Sequence, residues 1–506
     1  MMGGVRGAFR DAREIRMQFD DIRLLETGAP VTIGGYRIGE VKSITHDSRK
    51  VLPGSIFAAL PGTQVHGIEF LRTALDAGAA AVMTDRRPRK GLDVPWIWTR
   101  QPRALMAKAA WILAGNPQKK LKLVAVTGTN GKSTTAHLIS LVLSAAHTPT
   151  ALIGTLGGRM PDGSELTSER TTPEATDLSL MLKRAAADGA VAVAMEVSSH
   201  ALDQDRLAGL EFDVAVWTNL TRDHLDYHLD MEAYFESKRR LFTGHLSARG
   251  RRVLPVDDPW GARLLDESRE GDVSWGLDRG SVCAKDVTSD LDSSRFLLRV
   301  ADEEIEIALP LVGVHNLRNA LAAAAAAHAF GLGPPDIRRG LERARPLPGR
   351  MERVAVDTSF PVFVDYAHTP DGLRSVLQAL RRVTDRRLIV VFGAGGERDQ
   401  GKRGPMGFAV GELADVAIVT SDNPRSEDPA AIAEAVAEGV KAAGREPMVI
   451  LDRREAIGAA LAAADERSLV LVAGKGHETV QVVGDARIPF SDQETVRAEV
   501  RRVGCA

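Results

Sequence analysis

The chain has 506 residues, 44% of them hydrophobic and 26% charged, and 65 basic side chains nearly balance 67 acidic ones. That length fits about three domains, each able to bury its own core, and the composition is that of a folded chain without low-complexity tracts. The charge balance leaves no surplus for gripping a nucleic-acid backbone, so the expected partners are small molecules.

In chain order, a first helix is expected from Met17 to Leu25, after a charged leader that lacks a secretory apolar core. Turn signals at Pro53-Gly54, Pro61-Gly62 and His66-Gly67 mark a small mixed domain, which a break at Gly115-Asn116-Pro117 closes. An apolar strand at Leu123 to Val126 follows, and buried strands are expected at Val191 to Val197, Phe212 to Trp217, Val362 to Val364, Leu388 to Phe392, Val416 to Val419 and Leu469 to Val472. Ala- and Leu-rich helical stretches separate most of them, the pattern of parallel α/β sheets. Pro346, Pro348 and Gly349 mark a second joint. The expected fold is α/β in three domains: 1–117, 118–346 with a parallel sheet and a phosphate loop, and 347–506, Rossmann-like. Two isolated cysteines, Cys283 and Cys505, make neither a disulfide framework nor a thiolate metal site. No window approaches the ~20 apolar residues of a membrane span, so a cytoplasmic location without a membrane partner is expected.

Gly128-Thr129-Asn130-Gly131-Lys132-Ser133-Thr134 lies between a strand and an apolar-periodic helix starting near Thr135. Glycines let backbone N–H groups face phosphate oxygens, Lys132 reaches the outer phosphates, and a hydroxyl can hold magnesium. Val126 stands where the usual P-loop has Gly, so the spacing is not that of kinases or GTPases. Polar clusters at the other strand exits, where ligands bind in parallel sheets, complete the pattern: 198–206, 218–228, 365–369, 393–403, 422–425 and 474–478.

The loop resembles that of the Mur ligase family, with folylpolyglutamate synthetase as a cousin. Glu196-Val197-Ser198-Ser199-His200, Asn219 to His228, Gly313 with His315, Asn316 and Asn319, Pro348-Gly349-Arg350, and Asp365 to Pro370 extend the resemblance over nearly the whole chain from Thr45. It implies ATP-dependent amide formation through an acyl phosphate. ATP would lie on Gly128 to Thr134 with Asn316, Arg350 and Asp365. Lys132, Glu196, His224 and Lys238 would be catalytic, and Ser133, Glu196, His224 and a carboxylated Lys238 would hold magnesium, two ions in all. From the residues alone, His224 could equally be a hydrogen-bonding histidine, Asn316 a helix cap, Asp365 a turn residue and Lys238 an exposed helix lysine.

The segment Thr45 to Arg49, with Ser48, and Thr63-Gln64-Val65 resembles the family's uridine-nucleotide pocket; Thr171, Thr172, Ser198, Gln204 and Arg206 match positions holding the arm of UDP-MurNAc-L-Ala-D-Glu. Asp422-Asn423-Pro424-Arg425, with Arg398, Gly474 and Glu478, is the form that goes with meso-diaminopimelate. Arg425 can pair with that amine's distal carboxylate and Glu478 can accept from its distal ammonium; a surface ion pair is the plain alternative for Arg425. Competing readings are a lysine-adding member of the family, a folylpolyglutamate synthetase, a P-loop phosphotransferase and a nucleotide-binding module without chemistry. A monomer is expected, with His368 a candidate base for the amine.

Overall fold

A computed structural model describes residues 30–33, 36–62, 65–87, 94–168, 170–267 and 269–503. The expected helix from Met17 to Leu25 and the pocket residues Thr63 and Gln64 lie outside them. The chain divides into two compact units, one of residues 1–125, 148–213 and 239–250, the other of 126–147, 214–238 and 251–506.

In the first unit, Ser43–Thr45, Ser55–Ala59, Ala81–Thr84 and Trp96–Trp98 form a parallel sheet, in register at Ile44↔Ile56, Phe57↔Val82 and Val82↔Trp96. Phe57, Ile68, Val82 and Trp96 share one core on its face. The helix Pro102–Leu113 buries Met106, Ala110 and Trp111, and the Trp111 indole donates to the Ala208 carbonyl at 2.9 Å. Farther along, Ala192–Glu196 pairs in parallel with Thr150–Gly154. Its five residues are all buried, the continuous apolar run of a strand covered on both faces. Val191, expected inside it, is half exposed and precedes it.

In the second unit the helix Lys132–Ala145 starts three residues earlier than expected, because Gly131 at φ +84° caps it. Ser133 and Thr134 therefore occupy its first turn, where N–H groups are unpaired. This helix packs on Val314–Ala329, whose run Ala322 to Ala327 is buried; methyl-sized side chains let the two backbones approach. The strand Val273–Trp275 pairs in parallel with residues 253–255 and leads into three antiparallel strands, Val282–Ser289, Ser294–Val300 and Glu303–Leu309. The expected strand–helix alternation missed these three. Their signal is the period of two in which buried Phe296, Leu298 and Val300 alternate with Arg295, Leu297 and Arg299.

The last sheet has the order Glu352–Arg353, Val362–Asp365, Ser468–Ala473, Arg387–Phe392, Val416–Val419, Met448–Val449. All but the first strand run parallel. Alternate residues feed two cores: Phe363, Val390 and Leu471 pack with Leu373 and Val436, whereas Val364, Ile389 and Val470 pack with Ile457 and Val496. The sheet is thus covered by helices on both sides, and its carboxyl ends release the loops at 365–369, 393–403, 422–425 and 474–478. The four longer strands match the expected positions to within a residue, and the two-residue strands Glu352–Arg353 and Met448–Val449 were not expected.

A Cβ added at Gly131 would enter the Asn319 carboxamide oxygen and force an L residue to φ +84°. Gly131→Ala is expected to lower the unfolding free energy by about 1–3 kcal/mol in urea titration and to weaken binding of an ATP analogue in calorimetry.

Candidate active site

Within the second unit, the phosphate loop is clamped by the segment after the strand Phe212–Trp217. Thr218 Oγ1 and Asn219 Nδ2 both donate to the Asn130 carbonyl, at 2.7 and 3.1 Å, and Asn130 N donates to Asn219 Oδ1 at 3.0 Å. Thr129 N reaches the Asn219 carbonyl at 2.8 Å. A Cβ at Gly128, φ +149°, would collide with the Thr218 hydroxyl, so the approach requires glycine there. Lys132 Nζ folds back to the carbonyls of Gly128 and Thr129 at 3.0 and 2.8 Å.

Lys238, for which exposure on a helix was one reading, is 1% exposed. Its amine donates to the Gly128 carbonyl at 2.8 Å and lies over the Tyr234 ring, 4.7 Å from the centroid. Burial, followed by the nearby Lys132 charge, pushes its pKa well below the ordinary lysine value. A neutral amine is the form that adds to carbon dioxide, so the surroundings fit the carboxylation implied by the resemblance. Asp223, which the sequence reading did not single out, is buried at the centre of a cluster. His224 Nε2 and Lys402 Nζ each lie 3.6 Å from its carboxylate, and His368 Nε2 lies 4.0 Å away. Burial opposes its ionisation, but His224, Lys402 and His368 together hold its carboxyl well below the usual range. His368, the candidate base, is itself shifted down by burial and then by Lys402, and its Nδ1 lies 2.8 Å from the Tyr366 carbonyl. Arg222 forms a two-point pair with Asp399 at 3.0 and 3.2 Å.

Asn316 is not the helix cap, since Gly313 is; its amide donates to the Val312 carbonyl at 2.9 Å. Asp365 makes a turn bond, Ala367 N to Oδ1 at 2.7 Å, and also receives Met351 N on Oδ2 at 2.6 Å, which ties it to the Arg350 loop. Arg350 NH2 reaches Ser133 Oγ at 3.3 Å, and its guanidinium stacks over Tyr366, 4.5 Å from the centroid.

The amine-end residues also converge in this unit. Arg425 has a left-handed backbone, φ +53°, and donates from NH1 to the Gly396 carbonyl at 2.5 Å. Burial, then the like charge of Arg398, lowers its pKa. Among the described residues no carboxylate lies within ion-pair distance of Arg425, so the surface ion pair does not form. Asp422 is buried with Oδ2 unpartnered, and burial raises its pKa. Pro424 is buried beside it, and Gly474, φ +117°, leaves room for that oxygen: a Cβ there would sit 2.6 Å from it. Glu478, the expected acceptor for a distal ammonium, also accepts from Asn423 Nδ2 at 2.8 Å and Lys475 Nζ at 2.9 Å.

The residues assigned to the acid arm gather within the first unit. Thr172 Oγ1 donates to the Glu196 carbonyl at 3.0 Å and accepts from Ser198 N at 2.9 Å. The Glu196 carboxylate accepts from Thr155 N and Thr155 Oγ1 at 2.8 and 3.1 Å, and Thr155 Oγ1 lies 3.0 Å from Thr171 Oγ1. Arg206 is engaged by protein groups, donating to Gln204 Oε1 at 2.7 Å and the Thr172 carbonyl at 3.1 Å, with Glu174 3.2 Å away. Glu174, missed in the sequence, also pairs with Arg103 and Arg170 at 2.6 and 2.5 Å. Ser48 starts a short 3₁₀ turn capped by Asp47, and Val65 is exposed.

A clamped phosphate loop, a buried lysine and parallel-strand loops carrying paired charges define a nucleotide-using α/β enzyme. Three family models match in succession: Mur ligase family, catalytic domain (residues 40–112); Mur ligase middle domain (126–327); and Mur ligase, glutamate ligase domain (349–476). A model described as MlaD protein also matches 11–58. A protein of Geobacter metallireducens named UDP-N-acetylmuramoyl-L-alanyl-D-glutamate--2,6-diaminopimelate ligase is 41% identical, covering 94% of this chain and 97% of its own length. The protein of the same name from Streptomyces coelicolor is 44% identical, over 92% and 93%. A solved structure of a ligase of that name superposes with TM-score 0.63 at 33% identity, over 93% and 97%. A folylpolyglutamate synthase of Mycobacterium tuberculosis shares the fold, TM-score 0.62, at 21% identity over 80% of this chain and 95% of its own. The chain belongs to the Mur ligase family.

His477 is held down to about 4, mainly by burial and then by Arg350. Its neutral form therefore stabilises the fold fully above pH 6.5, and that contribution is lost as pH falls toward 4. Urea unfolding from pH 7 to 4 is expected to show a loss of up to about 3 kcal/mol in the wild type that His477→Asn lacks.

Proposed function

We propose that the chain joins meso-diaminopimelate to UDP-MurNAc-L-Ala-D-Glu at the expense of ATP, giving the UDP-MurNAc-tripeptide, ADP and phosphate for peptidoglycan precursor synthesis. In the first step a carboxylate oxygen of the acid attacks the γ-phosphorus and the bond to the β-phosphate oxygen breaks, releasing ADP. In the second, the amine nitrogen attacks the acyl carbon; the tetrahedral intermediate expels phosphate, and the nitrogen gives up a proton. Lys132 and the N–H groups opening the helix Lys132–Ala145 would hold the phosphates, Asn316 and Asp365 the nucleoside side, and Arg350 the phosphate end. The relatives' names support the reaction, as does the clamped loop.

Within the second unit, magnesium would be held by the Ser133 hydroxyl, His224 and carboxylated Lys238, and would supply neutralisation of the triphosphate charge. Among the described residues no three His, Cys, Asp or Glu side chains gather as a closed cage. The same reading assigns 1–117 to the uridine nucleotide, 118–346 to ATP and 347–506 to the amine, in a cytoplasmic monomer. Among the described residues no helix is long and apolar enough to cross a membrane.

One observation carries the amine assignment: Arg425 is half-buried, donates to the Gly396 carbonyl and, among the described residues, makes no ion pair. Such a guanidinium calls for an anion, and the distal carboxylate of diaminopimelate is one; lysine has none. With purified protein, ADP release is expected to require both the acid and meso-diaminopimelate, with L-lysine poorer by about 10³ or more in kcat/KM. Equal rates with the two amines would refute the assignment, and ADP without amide would mark a phosphotransferase. Arg425→Lys is expected to raise KM for diaminopimelate about 100-fold while leaving KM for ATP unchanged in steady-state assays. Lys238→Ala is expected to abolish turnover, with partial rescue by added short carboxylates.

A further inference from the structure

The side chain of Lys475 is entirely out of water, yet its ammonium is spent on two protein acceptors: Glu478 Oε2 at 2.9 Å and Asn423 Oδ1 at 3.1 Å. Asn423 closes the triangle, since its Nδ2 donates to the same Glu478 oxygen at 2.8 Å and its Oδ1 also receives Val482 N at 2.9 Å. Both ends of the Asn423 amide are thereby fixed. One Glu478 oxygen carries two donors, and the Glu478 side chain stays partly open to solvent, 29% exposed. The second acid here is Asp422, with a buried oxygen lacking any hydrogen-bond partner. The other buried cation, Arg453, is matched by Asp492 at 2.8 Å. Lys475 is thus held between Glu478 and Asn423, on the side of the pocket where Arg425 stands.

We propose that Lys475 is a positioning residue that selects the amine. It locks Glu478 into one orientation, so that an ammonium on that carboxylate and a carboxylate on the same carbon facing Arg425 are bound in register. This rests on the diaminopimelate reading above. Without Lys475, Glu478 is free to turn, and the register that only an amine carrying both groups uses is lost.

The test measures KM and kcat of the full-length enzyme with meso-diaminopimelate and with L-lysine, for wild type, Lys475→Met, Lys475→Gln, Glu478→Gln and the Lys475→Met/Glu478→Gln pair. Lys475→Met should raise KM for diaminopimelate about 30-fold or more, lower the diaminopimelate-to-lysine ratio of kcat/KM at least about 10-fold, and leave KM for ATP within about 2-fold. The double variant should be no worse than Glu478→Gln alone, since the lysine acts through that carboxylate. An unchanged amine ratio, a parallel rise in all three substrate KM values, or multiplying effects in the double variant would overturn the proposal. Should Lys475→Met fail to fold, Lys475→Gln and its pair with Glu478→Gln decide the matter by the same ratio, because Gln keeps a donor without the charge. A wild type that does not prefer diaminopimelate sinks the substrate assignment separately, and the variants then report on whichever amine is used.

Discussion

Two lysines converge on one backbone oxygen, the carbonyl of Gly128. Lys132 arrives from the first turn of the helix that follows and Lys238 from a helix about a hundred residues on. Neither contact would exist if the loop stood higher, and its height is set by the Thr218 and Asn219 bonds to Asn130 together with a bare Cα at Gly128. Crowding two amines in a dry place disfavours charge on the more buried one. A lysine is thereby left with amine chemistry, where exposure would have left it an inert cation.

The same unit links the phosphate loop to the loops of the last sheet through charge. Asp223 holds groups from three segments, His224 beside it in sequence and His368 and Lys402 from later loops, while Arg222 grips Asp399 and Arg350 reaches Ser133. Buried ion pairs of this sort add little net stability, because desolvation offsets much of the attraction. Their effect is on register: a slip of one loop against another would strand a charge away from water. The placement of these loops is thus enforced more by the cost of alternatives than by strong attraction.

The sequence carried the four longer strands of the last sheet, since Val416–Val419 and Leu388 to Phe392 are unbroken β-branched and apolar runs bounded by polar exits; the short parallel strands between Ser43 and Trp98, and Thr150–Gly154, carry no such run and were not placed. The helix start at Lys132 was misplaced because apolar periodicity begins only where the helix meets its neighbour, whereas the cap is decided by the conformation of Gly131. The antiparallel strands from Val282 to Leu309 were overlooked because their alternation of Arg with Phe and Leu is weaker than the apolar runs around it. Lys238, Lys475 and Glu174 show a different limit: nothing in a charged residue's near neighbours says that distant segments will bury it. Family motifs exposed the first of these, and only coordinates exposed the other two.

The backbone of Arg425 is held left-handed by partners on a small hairpin, Val480–Val483 and Ala486–Pro489: its N–H meets the Val482 carbonyl and its carbonyl receives Gly484 N. An L residue held there costs on the order of 1–2 kcal/mol, repaid only while the hairpin keeps its shape. The direction of the guanidinium is therefore set partly by a surface ribbon that also holds Asn423 through Val482 N. On the proposed function, drift in that ribbon would retune which amine is accepted while every residue facing the ligand stayed the same, so selectivity would be inherited partly through positions that a roll of binding residues omits.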